Sequence, residues 1–427
     1  MKSKILSLLI LVLPFFAIAQ KATKKILPAP YATKSVTNYS NVVGWKSGET
    51  PKAPAGFTVT KYAEDLDNPR WMYVTPNGDV LVAQSNSNYS LPKQVGAAII
   101  GAGKSNDLNH SADLITLLRD TDKDGKPDVR AKFLTKEDGL NQPFGMLVIG
   151  NWFYVANTDA LMRFPYDREQ NKVTGAGVKL IDLPAGKHNR HWTRNIIANA
   201  DNSKIYISVG SGSNVAENGI DDDKGKAAIY EINPDGSGLR AYASGIRNPV
   251  GMGWAPGTKT LWTSVNERDE LGNNLVPDYL TSVKENGFYG WPYAYWGNHV
   301  DPRIKAEDRK PGLVKETIVP DVDLGAHTAS LGLAFYSEKA FPAKYRNGAF
   351  IAQHGSWNRD PIAGYKVIFV PFKDGKAGKP EDFLTGFVVD PKKNEVRGRP
   401  VGVTVLPDGS MLVTDDKTNI IWRVSAQ

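Results

Sequence analysis

The feature that most constrains the fold is a short strand–turn–strand unit that recurs six times along the chain. The copies begin at Asn68, Gln142, Thr193, Asn248, Ser330 and Arg399. Apolar residues alternate within each copy, so one face of each hairpin can pack on a neighbouring sheet, and a lone hairpin cannot bury that face. Six copies therefore predict an all-β fold, a six-bladed β-propeller that buries these faces by radial repetition.

A solenoid or a sandwich of similar strands is the alternative to a propeller, and the spacing of the copies bears on that choice. Successive copies start roughly 50 to 80 residues apart, which is too unequal for a solenoid. Two long insertions, residues 86–141 and 266–327, interrupt the rhythm and are rich in polar and aromatic residues. Because function concentrates where loops converge on a scaffold, we expect the chemistry near these insertions and the central channel.

The amino terminus has the pattern of an export signal. Two lysines precede an apolar run and an Ala-x-Ala sequence, which predicts a secretory signal peptide at residues 1–19 and a periplasmic or secreted protein. A membrane anchor, the alternative, needs a longer apolar stretch. Residues 20–55 lack apolar periodicity and predict a flexible lead-in, followed by the propeller domain at 56–427. No other segment could span a bilayer, so we expect no membrane span in the mature chain.

Composition excludes several functional classes. The chain has no cysteine, which rules out disulfides, thiolate metal sites and cysteine nucleophiles. Its net charge of +7 comes from 52 Lys and Arg against 45 Asp and Glu. The basic residues are scattered rather than clustered with aromatic residues, so nucleic-acid binding is not expected, whereas an acidic redox partner is compatible with the charge.

A cation-binding pattern lies in the first insertion. Asp120, Asp122 and Asp124 alternate with other residues, Gly125 follows where the loop must turn, and Asp128 comes three residues later. Such spacing can fold several oxygen ligands around one hard cation such as calcium. We interpret the loop as a structural calcium site, with a solvated acidic turn as the alternative.

Histidine and arginine supply the candidate catalytic groups. His191 lies at the start of a repeat copy, where its side chain can point into the channel and act as a general base; a polar loop histidine is the alternative. Four arginines begin or flank repeat copies, and convergent guanidinium groups would bind a compact polyanion. They are Arg247, Arg359, Arg397 and Arg399. The sequence lacks the histidine spacing of a zinc hydrolase, the nucleophile elbow of a serine hydrolase and the glycine pattern of a Rossmann motif.

Several of these segments, in order, resemble one known family. The matching stretches are GLNQPFGM, HWTRNII, SGIRNPVGM, NGFYGWPYAYWG, HTASLGLAFY, HGSWNR and GRPVGV. Together they are similar to the soluble sugar dehydrogenases that use pyrroloquinoline quinone (PQQ), the glucose/sorbosone dehydrogenase family, in its sorbosone-dehydrogenase-like branch. The resemblance covers nearly everything from about residue 56 to the carboxyl terminus.

The resemblance implies a set of site residues around PQQ and an active-site calcium. His191 matches the family's catalytic histidine, with His188 as the alternative, and Arg247 is expected to assist it. The implied cofactor-binding residues are Gln142, Arg247, Asn248, Arg359 and Arg399. The implied ligands of the active-site calcium are Asp278 and the carbonyl of Tyr289, with Glu267 and Asp269 as additional candidates.

The implied reaction is oxidation of an aldose or sugar aldehyde. His191 would remove a proton from the sugar's C1 hydroxyl while hydride leaves for the quinone, and electrons would pass to an external acceptor such as a cytochrome. Two other functions stay open at this point: a calcium-dependent propeller lactonase, and a non-catalytic propeller that binds glycans or protein.

Overall fold

The computed structural model describes residues 26–88, 91–99, 101–105, 108 and 110–427. The predicted signal peptide lies outside these residues. Strands dominate the described chain and its helices are short, so the all-β prediction is confirmed. No helix in the described ranges is long and apolar enough to cross a membrane.

The first half of the fold contains strands β1 to β16. They are β1 (Asn41–Val42), β2 (Phe57–Ala63), β3 (Pro69–Val74), β4 (Val80–Gln84), β5 (Leu114–Arg119), β6 (Val129–Leu134), β7 (Met146–Ile149), β8 (Trp152–Ala156), β9 (Ala160–Asp167), β10 (Lys172–Val173), β11 (Val178–Asp182), β12 (Ile196–Ala198), β13 (Ile205–Val209), β14 (Ala228–Ile232), β15 (Arg240–Ser244) and β16 (Pro249–Trp254).

The second half contains strands β17 to β32. They are β17 (Leu261–Val265), β18 (Pro277–Ser282), β19 (Gly287–Phe288), β20 (Ala294–Tyr295), β21 (His299–Val300), β22 (Val322–Ala326), β23 (Ser330–Tyr336), β24 (Gly348–Gln353), β25 (Lys366–Lys373), β26 (Lys376–Ala377), β27 (Glu381–Leu384), β28 (Val388–Asp390), β29 (Glu395–Val396), β30 (Pro400–Val405), β31 (Met411–Asp415) and β32 (Ile420–Ala426). The α-helices are α1 (Leu91–Ile99) and α2 (Pro311–Glu316), and short 3₁₀ turns occur at Ala102–Lys104, Lys136–Asp138, Ile220–Asp223, Ala306–Asp308 and Ala343–Tyr345.

The described strands build six antiparallel sheets of four main strands. In chain order these are sheet 1 (β3-β4-β5-β6), sheet 2 (β7-β8-β9-β11), sheet 3 (β12-β13-β14-β15), sheet 4 (β16-β17-β18-β22), sheet 5 (β23-β24-β25-β27) and sheet 6 (β30-β31-β32-β2). Short strands extend three of them: β10 on β9, β19 on β15 and β26 on β25. Two small sheets, β1-β29-β28 and β20-β21, lie outside the six.

The six sheets form a ring. The first strand of each sheet contacts the first strand of the next, from β3 through β7, β12, β16, β23 and β30 back to β3. Sheet 6 combines both ends of the domain, because β2 pairs along its length with β32. This pairing ties the two ends of the domain together within one sheet. All six repeat copies form the predicted hairpin, as the first two strands of a sheet.

Packing between neighbouring sheets supplies the core. Between sheets 1 and 2, for example, Trp71, Leu81, Phe144 and Phe153 are buried in one apolar cluster. Burial of each such side chain stabilises the fold by about 1.5–3 kcal/mol. Repeated around the ring, this packing accounts for a stable domain without disulfides.

The two predicted insertions are partly strands of the sheets themselves. The first, residues 86–141, contains β5 and β6, and the second, residues 266–327, contains β18 and β22. The repeat copies cover only the two inner strands of each sheet, so the outer strands looked like interruptions.

The segment expected to be a flexible lead-in makes defined contacts over its described part, residues 26–55. Strand β1 pairs with β29, and Lys52 forms a bridge with Thr385. Trp45 packs against Phe387 and Trp422, with ring centroids 5.3 and 5.0 Å apart. Aromatic packing and backbone pairing hold this segment on the ring, although it carries no apolar periodicity of its own.

Candidate active site

The starts of the first strands converge on one polar cavity of about 210 Å³ at the centre of the ring. Arg70 lies at the start of β3, Trp192 precedes β12, Asn248 immediately precedes β16, Leu331 lies in β23 and Arg399 immediately precedes β30; all five line the cavity. Radial repetition therefore brings residues that are hundreds of positions apart in sequence to one place.

His191 lines this cavity, and its contacts assign its tautomer. The ring Nδ1 lies 2.9 Å from the carbonyl oxygen of Ser211 and 2.9 Å from the Ser211 hydroxyl. A carbonyl only accepts, so Nδ1 carries the hydrogen and donates it. No group in the described chain hydrogen-bonds Nε2. The Nε2 lone pair is therefore available to accept a proton.

Electrostatics keep the His191 imidazole neutral. Burial of the ring, followed by the positive charges of Arg247 and Arg190, holds the pKa of His191 well below its usual 6.5. Each of these effects disfavours the protonated form. At neutral pH the side chain is consequently a base rather than a cation.

A glycine lets His191 and Asn248 approach each other. A Cβ at Gly210 would lie 2.5 Å from the His191 Cβ and 2.6 Å from the Asn248 Oδ1. Any larger residue would push one of them away. The stretch Gly210–Asn214, which fits no nucleotide-binding motif, thus has a packing role beside the cavity.

Asn248 also carries an unsatisfied group at this place. It is buried and lines the cavity, and its Oδ1 atom is shielded from water without a hydrogen-bond partner in the structure. An orphaned buried acceptor costs about 1–3 kcal/mol. A ligand group that donates a hydrogen bond to this atom would recover that energy.

The cavity lining is strongly cationic. Arg70, Arg190, Arg399 and Lys417 contribute four positive charges, whereas Asp416 contributes the one carboxylate among the lining residues. The net charge is that of a receptor for a compact anion. Of the four arginines expected here from the sequence, Arg399 alone lines the cavity, and Arg397 pairs with Glu49 outside it.

His354, Asp416 and Arg70 form a chain of contacts that the sequence did not identify. His354 Nε2 lies 2.9 Å from one Asp416 oxygen, and Arg70 Nη1 donates to the other. Burial and the charge of Arg399 lower the pKa of His354 to about 4, and His354 and Arg70 help to hold the pKa of Asp416 well below its usual range. The available signal was positional, because each of the three lies at the start or end of a repeat strand.

Arg247 is buried beside the cavity without lining it. Its Nη1 donates to the carbonyl oxygens of Glu267 (2.7 Å) and Asn266 (3.1 Å), and its Nη2 donates to the Asn214 side chain (2.9 Å). An ion pair to Asp269 at 3.4 Å completes its surroundings. Through these contacts the guanidinium holds the 266–269 loop. Its positive charge also helps to lower the pKa of His191, which lines the cavity.

Two other predicted cofactor residues also lie outside the main cavity. Arg359 is half-buried and donates to the Ala326 carbonyl at 3.2 Å. Gln142 lines an adjoining pocket of about 690 Å³, and its amide donates to the Asn86 carbonyl at 2.7 Å. That pocket shares Ser87, Arg190 and Trp192 with the cavity.

His188, the alternative to His191, lines the adjoining pocket as well. Its Nδ1 lies 3.2 Å from the Asp222 carboxylate, so this nitrogen is engaged with an acid. The geometry at the cavity therefore favours His191 as the base.

Asp278, one of the residues expected to bind an active-site calcium, accepts hydrogen bonds from protein donors. Asp278 accepts hydrogen bonds from the backbone N–H groups of Glu267 (2.9 Å) and Ser330 (2.8 Å) and from the Thr328 hydroxyl (2.9 Å). These donors occupy its oxygens, so Asp278 ties β18 to neighbouring loops. Burial raises the pKa of this carboxyl group.

The two other predicted carboxylates are likewise engaged with protein groups. Glu267 pairs with Arg268 at 2.9 Å, and Asp269 contacts His327 at 3.2 Å. For Tyr289 the expected ligand is the backbone carbonyl, and its hydroxyl donates to the Ser282 carbonyl at 2.5 Å. Within the described residues, no three carboxylates or imidazoles of this region lie close together.

The acidic loop of sheet 1 does form a cluster. Asp120, Asp122 and Asp124 place one oxygen each within 4.8 Å of one another, and they are the one such group among the described residues. Asp120 also has a buried oxygen without a partner. Asp128 instead accepts hydrogen bonds from the backbone and hydroxyl of Thr121, so it lies outside this cluster.

Comparison with known proteins decides the family. A family model described as "Glucose / Sorbosone dehydrogenase" matches residues 154–356, and a second, "TrAA12-like", matches residues 301–427. An uncharacterized protein of Borreliella burgdorferi is 31% identical over 305 residues, covering 69% of this chain and 78% of that protein. The chain belongs to the glucose/sorbosone dehydrogenase family. The family resemblance noted in the sequence is thereby confirmed.

Several relatives and structurally similar proteins have names that refer to sugars or carbohydrates. The aldose sugar dehydrogenase YliI of Escherichia coli is 28% identical over 193 residues, covering 44% of this chain and 45% of the relative. The calcium structure of the AA12 carbohydrate-active enzyme of Trichoderma reesei superposes with a TM-score of 0.71 at 17% identity, covering 92% of this chain and all of the other. The holo PQQ domain of a Coprinopsis cinerea pyranose dehydrogenase gives 0.66 at 18% identity, covering 91% and 100%. These structures share the fold.

Proposed function

We propose that this protein is a PQQ-dependent dehydrogenase that oxidises an aldose or a sugar aldehyde. The observation that carries the proposal is the central cavity, where a neutral imidazole with an available Nε2 stands among four cationic side chains. Family membership and the names of the relatives support the same chemistry. The six sheets are, in this proposal, the blades of a six-bladed propeller whose channel holds the cofactor.

The cavity fits the chemistry of PQQ on three counts. PQQ is a flat tricarboxylate, and Arg70, Arg399 and Lys417 supply counter-charges for its carboxylates. The buried Asn248 Oδ1 lacks a donor, which a ring N–H could provide. Trp192 and Trp357 contribute aromatic wall surface against which a flat ring system can pack.

PQQ, when bound, supplies the two-electron acceptor for a hydride from the sugar's C1. The chain itself supplies the base: His191 Nε2 takes the proton of the C1 hydroxyl, while the hydrogen bond from Nδ1 to Ser211 fixes the ring and its tautomer. Arg190, which is partly exposed, carries a positive charge at the cavity edge that favours a developing oxyanion. The 690 Å³ pocket beside the cavity gives the sugar a route of approach.

Three further elements complete the proposal. The chain is exported to the periplasm or secreted, and it passes electrons to an external acceptor such as a cytochrome. A calcium ion binds the loop of Asp120, Asp122 and Asp124, where it stabilises the turn between β5 and β6.

The proposal is tested by adding PQQ and calcium to the purified apoprotein. We expect a bound-quinone absorption spectrum and reduction of an artificial dye that depends on an added aldose. Arg399→Gln should weaken PQQ binding about tenfold, because it removes one of the positive charges that attract an anion to the cavity, and a tenfold loss corresponds to about 1.4 kcal/mol. Arg397→Gln is the matched control, two residues away and paired with Glu49 outside the cavity.

Three results would contradict the proposal. They are failure of the wild-type protein to bind PQQ, PQQ binding without dye reduction on any aldose or sugar aldehyde, and equal effects of the Arg399 and Arg397 substitutions.

A further inference from the structure

The segment of residues 31–42, which we call the strap, joins loops from several sheets. The Tyr31 N–H donates to the Leu271 carbonyl (2.8 Å), the Asn38 N–H to the Trp357 carbonyl (2.7 Å), and the Asn41 N–H to the Asn394 carbonyl (2.7 Å). Leu271 belongs to a loop of sheet 4, Trp357 to a loop of sheet 5, and Asn394 to the β28–β29 turn. Backbone contacts thus run along the whole strap.

One strap side chain supports an aromatic wall of the cavity. The Tyr39 ring stacks on the Trp357 ring with centroids 5.8 Å apart and an angle of 17°. Trp357 lines the cavity, and the Arg190 guanidinium lies 5.8 Å from its ring centroid. Tyr39 itself does not line the cavity, and its ring contacts Trp357, which does.

The next residue of the strap supports a different wall. Ser40 is fully buried, and its hydroxyl lies 3.0 Å from the Ser105 hydroxyl. Ser105 lines the cavity and accepts hydrogen bonds from Arg399 Nη1 through its carbonyl (2.9 Å) and its hydroxyl (3.0 Å). Ser40 therefore holds the group that orients a cavity arginine.

We infer that Tyr39 and Ser40 are positioning residues of the cofactor cavity. Two consecutive residues reach two separate walls, one built around Trp357 and Arg190 and the other around Ser105 and Arg399. The strap is thereby a structural part of the site, although it lies outside the six sheets. This inference rests on the proposed function, because it takes the cavity as the binding site for PQQ.

The strap can be altered without breaking the ring. Ring closure depends on β2 pairing with β32, and β2 begins at Phe57, downstream of the strap. Tyr39 does not belong to the apolar clusters that pack between the sheets. A side-chain substitution in the strap should therefore change the cavity more than the fold.

The test compares Tyr39→Ala with Tyr39→Phe and with Tyr31→Ala as the control. Tyr31 is in the same strap, but its side chain is 54% exposed and its contact to Leu271 uses the backbone. PQQ affinity is measured by titration, and amide hydrogen exchange of residues 354–359 is measured in the apoprotein. The thermal midpoint checks that each variant is folded.

We expect Tyr39→Ala to bind PQQ about three- to tenfold more weakly and to exchange faster at residues 354–359, because an aromatic pair is lost. Tyr39→Phe keeps the ring and should restore wild-type affinity and exchange. Tyr31→Ala should match the wild type in both measurements. As a second arm, Ser40→Ala should speed exchange at residues 101–105 and weaken PQQ binding.

Two results would overturn the inference: wild-type affinity and exchange in both Tyr39→Ala and Ser40→Ala, or a Tyr39→Phe variant as impaired as Tyr39→Ala. If the wild-type protein binds no PQQ, the proposed function fails separately. The exchange measurements then decide the inference alone, with faster exchange in the two alanine variants supporting it and unchanged exchange refuting it.

Discussion

Asp416 offers the sharpest test of the cavity's electrostatics. It bridges His354 and Arg70, and the exposed fractions of the three side chains are only 10%, 11% and 14%, in that order. The substitution Asp416→Asn keeps the size of the side chain and removes its charge. Arg70 then loses its counter-ion in a largely buried place. His354 faces an amide instead of a carboxylate as its hydrogen-bond partner.

The expected effects on stability and on cofactor binding have opposite signs. Breaking a buried ion pair by removing one charge costs about 3–5 kcal/mol, and because these groups retain slight exposure we expect about 3 kcal/mol in the free energy of unfolding. A unit negative charge would be repelled by Asp416 by about 2 kcal/mol if it bound about 8 Å away at an effective dielectric constant of about 20. Removing that repulsion should tighten PQQ binding up to about 30-fold.

Two measurements on one variant check this reasoning. Denaturant unfolding of the apoprotein gives the stability change, and PQQ titration gives the affinity change. Asp382→Asn is the control, since Asp382 pairs with Lys366 at the surface with 57% exposure and should change stability by about 1 kcal/mol or less. The reasoning is refuted if Asp416→Asn unfolds like the control, or if it binds PQQ no more tightly than the wild type.

Three other expectations concern the base and the calcium loop. His191→Gln should lower kcat by about 10²- to 10⁴-fold and leave PQQ affinity nearly unchanged, as measured by dye reduction and titration; undiminished turnover would assign the base elsewhere. Since the neutral imidazole is the active form and its pKa lies well below 6.5, kcat/KM should stay level as pH falls from 8 to 6.5 and drop only at lower pH; a fall centred at or above 6.5 would contradict this. Calcium at about 100 times its Kd should stabilise the wild-type protein by about 2.7 kcal/mol, as measured by thermal unfolding. The substitution Asp122→Asn should abolish most of this stabilisation. An equal stabilisation of both proteins would exclude this loop as the calcium site.

The sequence by itself determined the secondary structure and the family. Alternating apolar residues are a local property, so each repeat copy could be recognised as a hairpin, from Asn68 to Arg399. His191, which the repeats predicted to point into the channel, and Asn248, which the family resemblance implied as a cofactor contact, both line the cavity, because residues that precede equivalent strands converge in a radial fold.

Tertiary structure alone decided which charged groups line the cavity. Asp278 and Arg247 had the residue types of a ligand and a cofactor contact, but neighbouring loops supply backbone donors and acceptors that occupy them. His354 and Asp416 line the cavity because sheets 5 and 6 meet there, although the two residues are 62 positions apart in the sequence. Sequence spacing describes one strand at a time, whereas the direction of a side chain and the partners it finds depend on strands packed beside it.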